Sequence, residues 1–120
     1  MDNINNVIEV MDKEVAAYNE RNIEKFINCF AEDIEFFTLK DNKRTLSGKI
    51  ELKNTFDRLF SSSPNLDLKI KNRIVSGNYV TDLEVVHGSP KSINGAEVIA
   101  INFIEHGLIR KIWFSEVISY

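Results

Sequence analysis

The stretch from Gly95 to Ile118 limits the fold more than any other part of the chain. It reads as two long apolar strands joined by a turn at Glu105-His106-Gly107. Val98, Ile99, Ile101, Phe103 and Ile104 make up the first. Leu108, Ile109, Ile112, Trp113, Phe114, Val117 and Ile118 make up the second. β-Branched and aromatic runs broken by one glycine turn are a strand-hairpin pattern. Both faces of this hairpin carry apolar residues, so both need a cover. Helices from earlier in the chain can cover one face, and a partner subunit could cover the other.

The earlier half supplies the helices. Ile4, Val7, Ile8, Met11, Val15 and Tyr18 recur at helical spacing and predict a helix over 4–19, capped by Asp2 or Asn3. Glu14 falls on the same stripe. Asn22 caps a second helix whose inner face is Ile23, Phe26, Ile27 and Phe30, ended by Ala31-Glu32-Asp33. A short strand follows over 34–39, then a turn at Asp41-Asn42-Lys43. Ser47 and Gly48 open a third helix with the stripe Leu52, Phe56, Leu59 and Phe60, stopped before Pro64. From Leu66 the period changes to two: Leu68 and Ile70 alternate with Asp67, Lys69 and Lys71. Ser76-Gly77-Asn78 turns the chain into a strand over 79–87, and a polar loop from Gly88 to Gly95 leads to the closing hairpin. Three helices followed by a strand meander is an α+β pattern in which the sheet curls around helices packed on one face.

Composition narrows the function classes. The chain has 120 residues, the size of one domain spanning 1–120. Its 43% hydrophobic and 28% charged content is that of an ordinary globular protein. The net charge of -3 and the absence of a basic patch argue against nucleic acid. Cys29 is the only cysteine, so no internal disulfide or thiolate metal cluster can form. No apolar run reaches the roughly 18 residues that span a membrane. The N-terminus lacks the pattern of a signal peptide, and the expected location is cytoplasmic. No motif for a cofactor is present, and His87 and His106 have no second metal ligand at a recognisable spacing.

The order helix-helix-strand-helix-four strands resembles the nuclear transport factor 2-like superfamily, including its SnoaL-like and ketosteroid-isomerase-like proteins. Ala16-Ala17-Tyr18-Asn19-Glu20-Arg21-Asn22-Ile23 looks like that family's junction of the first two helices. Phe30-Ala31-Glu32-Asp33 is similar to its F-A-D-D motif, and Ser47-Gly48 and Gly107-Leu108-Ile109 also match. The resemblance covers nearly the whole chain. It implies a cone-shaped α+β fold with a pocket between sheet and helices, and a homodimer built on the outer sheet face. The isomerase residues do not carry over. Thr38 stands at the position of the aspartate base, Glu14 at that of the helix-one tyrosine, and Ile99 at that of the second aspartate. Thr38 is no proton acceptor at neutral pH, so steroid isomerisation by that mechanism is not expected. Fold does not fix function.

The candidate chemistry rests on carboxylates. Val80, Asp82, Glu84 and Val86 share one strand face. The resemblance turns that face toward the pocket, where repulsion and desolvation would raise at least one pKa and suit acid-base work. The other reading makes them the solvated face, with Leu83 and Val85 in the core, because carboxylates are seldom buried without partners. A one-residue slip exchanges the two. Glu14 is either a pocket acid or an edge residue paired with a lysine. Tyr18, one turn on, is either a ligand hydrogen-bond donor or a core ring with its hydroxyl at the rim. Glu116 is a pocket-mouth carboxylate or an exposed strand end. Cys29 reads as a packed small residue. Trp113 lies on the face opposite Ile112 and Phe114, which marks it for a subunit interface if those two line the pocket.

The combined expectation is a homodimeric cone whose mostly apolar pocket takes a small apolar or amphipathic molecule. Phe30, Phe36, Phe56, Phe60, Ile99, Ile101, Phe103, Ile112 and Phe114 form its walls, with Tyr18, Thr38 and Glu116 as further contacts. Glu14, Asp82 and Glu84 are the candidate catalytic residues for isomerase- or lyase-type proton transfer. A non-catalytic binding or interaction module is the alternative.

Overall fold

The computed structural model describes residues 2–92 and 94–120. Helix α1 (Ile4–Glu20) starts where the Asn3 side chain accepts from the Asn5 N–H at 2.8 Å. It ends where Arg21 adopts the left-handed conformation. Its buried residues are Val7, Met11, Glu14, Ala17 and Tyr18, so a carboxylate sits in the middle of the apolar stripe. Helix α2 (Ile23–Ile27) has only five residues, and Asn22 caps it by accepting from the Lys25 N–H.

The second helix was expected to run on to Asp33. Instead β1 (Phe30–Thr38) already begins at Phe30. The reason is long-range. The Ile109 N–H donates to the Cys29 carbonyl, and Phe30 pairs with Ile109 in a parallel ladder, so the C-terminal strand draws this backbone out of the helix. Strand β2 (Arg44–Ser47), too short to show a period, lies antiparallel to β1 and buries Leu46. Helix α3 (Lys49–Ser62) follows, with Gly48 in a positive-φ conformation at its N-cap.

The meander comprises β3 (Asp67–Ser76), β4 (Tyr79–His87), β5 (Ala96–Glu105) and β6 (Leu108–Phe114), with a two-residue β7 (Ile118–Ser119). The sheet order is β2-β1-β6-β5-β4-β3, with β1 and β6 parallel and the other pairs antiparallel. The last strand does not continue to Ile118. It breaks after Phe114, where Ser115 exchanges hydrogen bonds with Ile99, and β7 pairs separately with Ala96 and Glu97. Helix α1 packs on β3 and β4 and α3 on β1 and β2, giving a curved mixed sheet with helices on one side.

Two bulges set which side chains face those helices. In β3 the pairing steps from Ile70–Glu84 to Asn72–Leu83, so Lys71 is the extra residue. Leu68 and Ile70 face inward before it, Arg73 and Val75 after it. In β6 the pairing steps past Arg110, so Ile109 and Ile112 are both buried, where strict alternation would set Ile109 on the face of Trp113.

The expected wall residues of β5 are corrected. Ile99, Ile101 and Phe103 face outward. Ile99 is 39% exposed, in a shallow patch with Ile74, Thr81 and Leu83. Ile101 lies across from Trp113, and Phe103 packs on Tyr79 with ring centroids 5.2 Å apart. The inner residues are Ala96, Val98, Ala100, Asn102 and Ile104. Side-chain size misleads here: the concave face lies under the helices and takes the small residues, while bulk goes to the open convex face. Trp113 stacks on Phe37 at 5.6 Å and donates through Nε1 to Asn42.

Candidate functional site

Between sheet and helices lies a pocket of about 230 Å³. Tyr18, Phe26 and Phe56 reach it from the three helices. Phe30, Phe36, Ile112 and Phe114 wall it from β1 and β6, and Leu68, Val86, Val98 and Val117 complete the apolar lining. Phe60 stands behind the wall, packed on Tyr18 and Phe26 at 5.5 Å each. Among the described residues, the polar side chains of the lining are Glu14, Glu84 and Tyr18.

Glu14 comes from the centre of α1 and is 6% exposed; Glu84 comes from β4 and is 7% exposed. Asp82, two residues before Glu84 on the same face, is 0% exposed. The inward register of β4 therefore holds, and Leu83 and Val85 are the half-buried outer residues. An isolated buried carboxylate is costly, and two devices meet the cost here.

The first is an ion pair. Arg73 donates to Asp82 through Nε at 2.7 Å and through its second terminal nitrogen at 3.0 Å, a bidentate fork. Its remaining terminal nitrogen donates to Asp12 of α1 at 2.7 Å. Arg73 thus ties β3, β4 and α1 together, and the hydrogen bond to Asp82 is the main cause of its raised pKa. Asp82 is gripped by the fork and stays outside the pocket lining, so it is not a free base of the pocket.

The second device is protonation. Burial pushes the Glu14 carboxyl up to about 8, and the Asp82 charge pushes it further than the Arg73 charge pulls it back. Glu84 is raised well above the ordinary carboxylate range, chiefly by burial and then by the charges of Glu14 and Asp82. The two titrate as a unit. Burial, then the charges of Glu84 and Glu14, also raise the Tyr18 phenol, which stays protonated and able to donate. Glu14 Oε1 is buried and makes no hydrogen bond to any described residue.

The remaining candidates lie elsewhere. Thr38 is at the end of β1, where its hydroxyl donates to Asp41 and accepts from the Lys43 N–H. It does not reach the lining, since a turn at the rim captures it. Glu116 is a solvated strand-end residue 3.7 Å from Lys40, and only its neighbour Val117 touches the pocket. Cys29 is buried with its thiol donating to the Lys25 carbonyl, and burial pushes the thiol up to about 11. Among the described residues no group of three or more His, Cys, Asp or Glu is arranged to hold a metal ion. No helix among them is long and apolar enough to cross a membrane. A larger groove of about 480 Å³ runs along the outside of α1 past Lys13, Glu20 and Lys25. Its lysines are solvated and paired with Glu9 and Glu20, and the one buried titratable group among its lining residues is the Cys29 thiol, which burial keeps protonated.

Sequence reasoning missed Arg73, because alternation from Leu68 and Ile70 sets it outward with the lysines. One signal was present. Arg73 lies three residues before Ser76 and Asp82 three after Tyr79, so the two-residue turn at Gly77-Asn78 places them directly opposite each other.

Two consequences are measurable. Arg73→Met leaves Asp82 buried without its cation and should cost about 3–5 kcal/mol in urea unfolding, whereas Asp12→Ala, at a 66% exposed partner, should cost less than about 1 kcal/mol. The second concerns pH. Glu14 has a folded pKa near 8 against an ordinary 4.5, so the stability it contributes is complete below 4.5 and is lost as pH rises through about 8. Glu84 acts with the same sign. Thermal midpoints of the wild type should fall between about pH 5 and pH 9, and those of Glu14→Gln should fall less. Parallel curves would refute the assignment.

Comparison with known proteins places this geometry. Among curated proteins, none matches the chain. An uncharacterised cystatin-fold protein from Novosphingobium aromaticivorans superposes with a TM-score of 0.80 at 18% identity, covering 90% of this chain and 96% of its own. TsrD from Streptomyces laurentii gives 0.78 at 20% identity, covering 98% and 91%. An NTF-2-like protein of unknown function from Burkholderia xenovorans gives 0.77 at 11% identity, covering 97% and 85%. These likenesses show the fold, that of the nuclear transport factor 2-like proteins. The family model of the SnoaL-like domain matches residues 12–112, and the chain belongs to that family.

Proposed function

We propose that the inner pocket binds a small, largely apolar molecule and that Glu14 and Glu84 exchange a proton with it. The observation that carries this reading is the burial of two coupled carboxylates with raised pKa values in an aromatic-walled cavity. A pair of raised, interacting carboxyls can hold one proton between them, so that one member takes a proton while the other gives one. Tyr18 supplies a hydroxyl donor toward the charge that develops on the guest. The Asp82 charge, two residues before Glu84 on the same strand face, helps to keep the Glu84 carboxyl raised. The volume of about 230 Å³ is below the roughly 300–1,000 Å³ of drug-sized pockets, which limits the guest to a small molecule.

The reaction class is proton abstraction beside a carbonyl, with return of the proton to the same or a neighbouring carbon. A β,γ-unsaturated cyclic ketone of about seven heavy atoms is a suitable probe. In D2O the wild type should accelerate deuterium uptake at the α-carbon. Glu14→Gln and Glu84→Gln should each reduce it about 10²–10⁴-fold, and Thr38→Val should leave it unchanged. Full activity in both glutamine variants would exclude the pair. Ketone binding without exchange would leave a non-catalytic binding module.

The same reading places a second copy of this chain on the outer sheet face. Ile74, Tyr79 and Ile99 are 67%, 47% and 39% exposed there, on the face the helices leave open. Sedimentation should give a dimer for the wild type and a monomer for Ile99→Glu. A wild-type monomer at high concentration would end this part of the reading.

A further inference from the structure

The pocket is rich in acceptors and poor in donors. Glu14 and Glu84 line it, Asp82 lies beneath, and Arg73 is the cation that faces this cluster among the described residues. Arg73 is fully occupied: its fork holds Asp82 and its third nitrogen holds Asp12. Glu14, 94% buried by the complement of its 6% exposure, keeps one carboxylate oxygen without a donor from any described residue. The same pocket is walled by the rings of Tyr18, Phe26, Phe36, Phe56 and Phe114.

We propose that the guest carries an alkylammonium group, which seats against Glu14 and Glu84 with its alkyl arms on the aromatic wall. This rests on the reading of the pocket as a small-molecule site and names the polar end of that molecule. A cation supplies the charge that Arg73 cannot spare. An ammonium with carbon substituents is weakly hydrated, so an apolar cavity can strip its water, and aromatic faces attract it. A neutral guest supplies no counter-charge to the pair once it ionises. An anionic guest meets the three carboxylates Glu14, Asp82 and Glu84.

Binding of such a cation requires ionised carboxylates. The groups that face the site are Glu14 and Tyr18 from α1, Arg73 from β3, and Asp82 and Glu84 from β4, with Cys29 sensing the Glu14 charge. Of these, the Glu14 carboxyl is raised to about 8, and that of Glu84 is raised in the same direction. Cation binding therefore releases protons, and affinity rises with pH toward 8.

The experiment is titration calorimetry of the full chain with choline, a quaternary ammonium that does not itself titrate. Its neutral isostere, 3,3-dimethylbutan-1-ol, is run in parallel, each at about pH 6 and pH 8 in two buffers of different ionisation heat. Choline should bind at least about tenfold tighter than the alcohol, tighten at least about tenfold between the two pH values, and release protons. Glu14→Gln should reduce the pH dependence and the proton release, with Glu84 the carboxyl that still titrates; its fold is checked by circular dichroism. Equal binding of the alcohol, pH-independent choline binding, or no choline binding overturns the proposal. If the alcohol binds and ketone exchange persists, the ammonium inference alone falls. If neither molecule binds and exchange is absent, the pocket reading falls with it.

Discussion

A buried carboxyl without a cationic partner is costly, and the Arg73–Asp82 fork is the contact on which the interior depends. It joins the first two strands of the meander, and through Asp12 it pins α1 across them. Geometry and charge are set together. The fork fixes where Asp82 sits, and Asp82 then stands as a fixed negative charge close to Glu14 and Glu84. Burial does most of the work in raising those two carboxyls, and the Asp82 charge adds to it in both. One strand face therefore holds two acids in different settings: a guanidinium grips Asp82, while Glu84 has no such cation among the described residues and its carboxyl is raised.

The fork exists because β3 is irregular. With uninterrupted alternation Arg73 would point to solvent beside Lys69 and Lys71, and Asp82 would be buried unpaired. The bulge at Lys71 changes the parity, so the first part of the strand presents Leu68 and Ile70 inward and the second presents Arg73 and Val75. The bulge that skips Arg110 does the same for Ile109 and Ile112. Local period-two patterns predict strands well but do not locate the point where the pattern skips a residue.

That limit separates what was legible in the chain from what was not. The three helices, the meander and the α+β architecture follow from periodicity, caps and turns, and all of these are local. The early start of β1 at Phe30 is not local, since it depends on Ile109 nearly eighty residues away. The site was half legible. Glu14 on the α1 stripe and the shared face of Asp82 and Glu84 follow from spacing alone. Their burial did not, because the partner that makes it tolerable is the arginine that alternation turns outward. Hairpin arithmetic across Gly77-Asn78 would have found that partner. The convex-face error at Ile99, Ile101 and Phe103 has a different origin. Hydrophobicity reports that a residue wants cover, and it does not say whether helices or a second molecule provide it.

The same reasoning bears on why the pocket keeps its carboxylates at all. For stability alone, a cavity lined by Phe26, Phe36 and Phe56 would do better with leucine at both glutamate positions, since replacing buried charge by apolar volume is neutral or stabilising in general. Glu14 and Glu84 instead repel each other, and Glu14 leaves an oxygen without a partner. Folding does not need that arrangement, and the guest proposed above would use it. The unsatisfied oxygen and the raised pKa values are two views of one fact: both carboxyls are withdrawn from water with no cation of their own among the described residues.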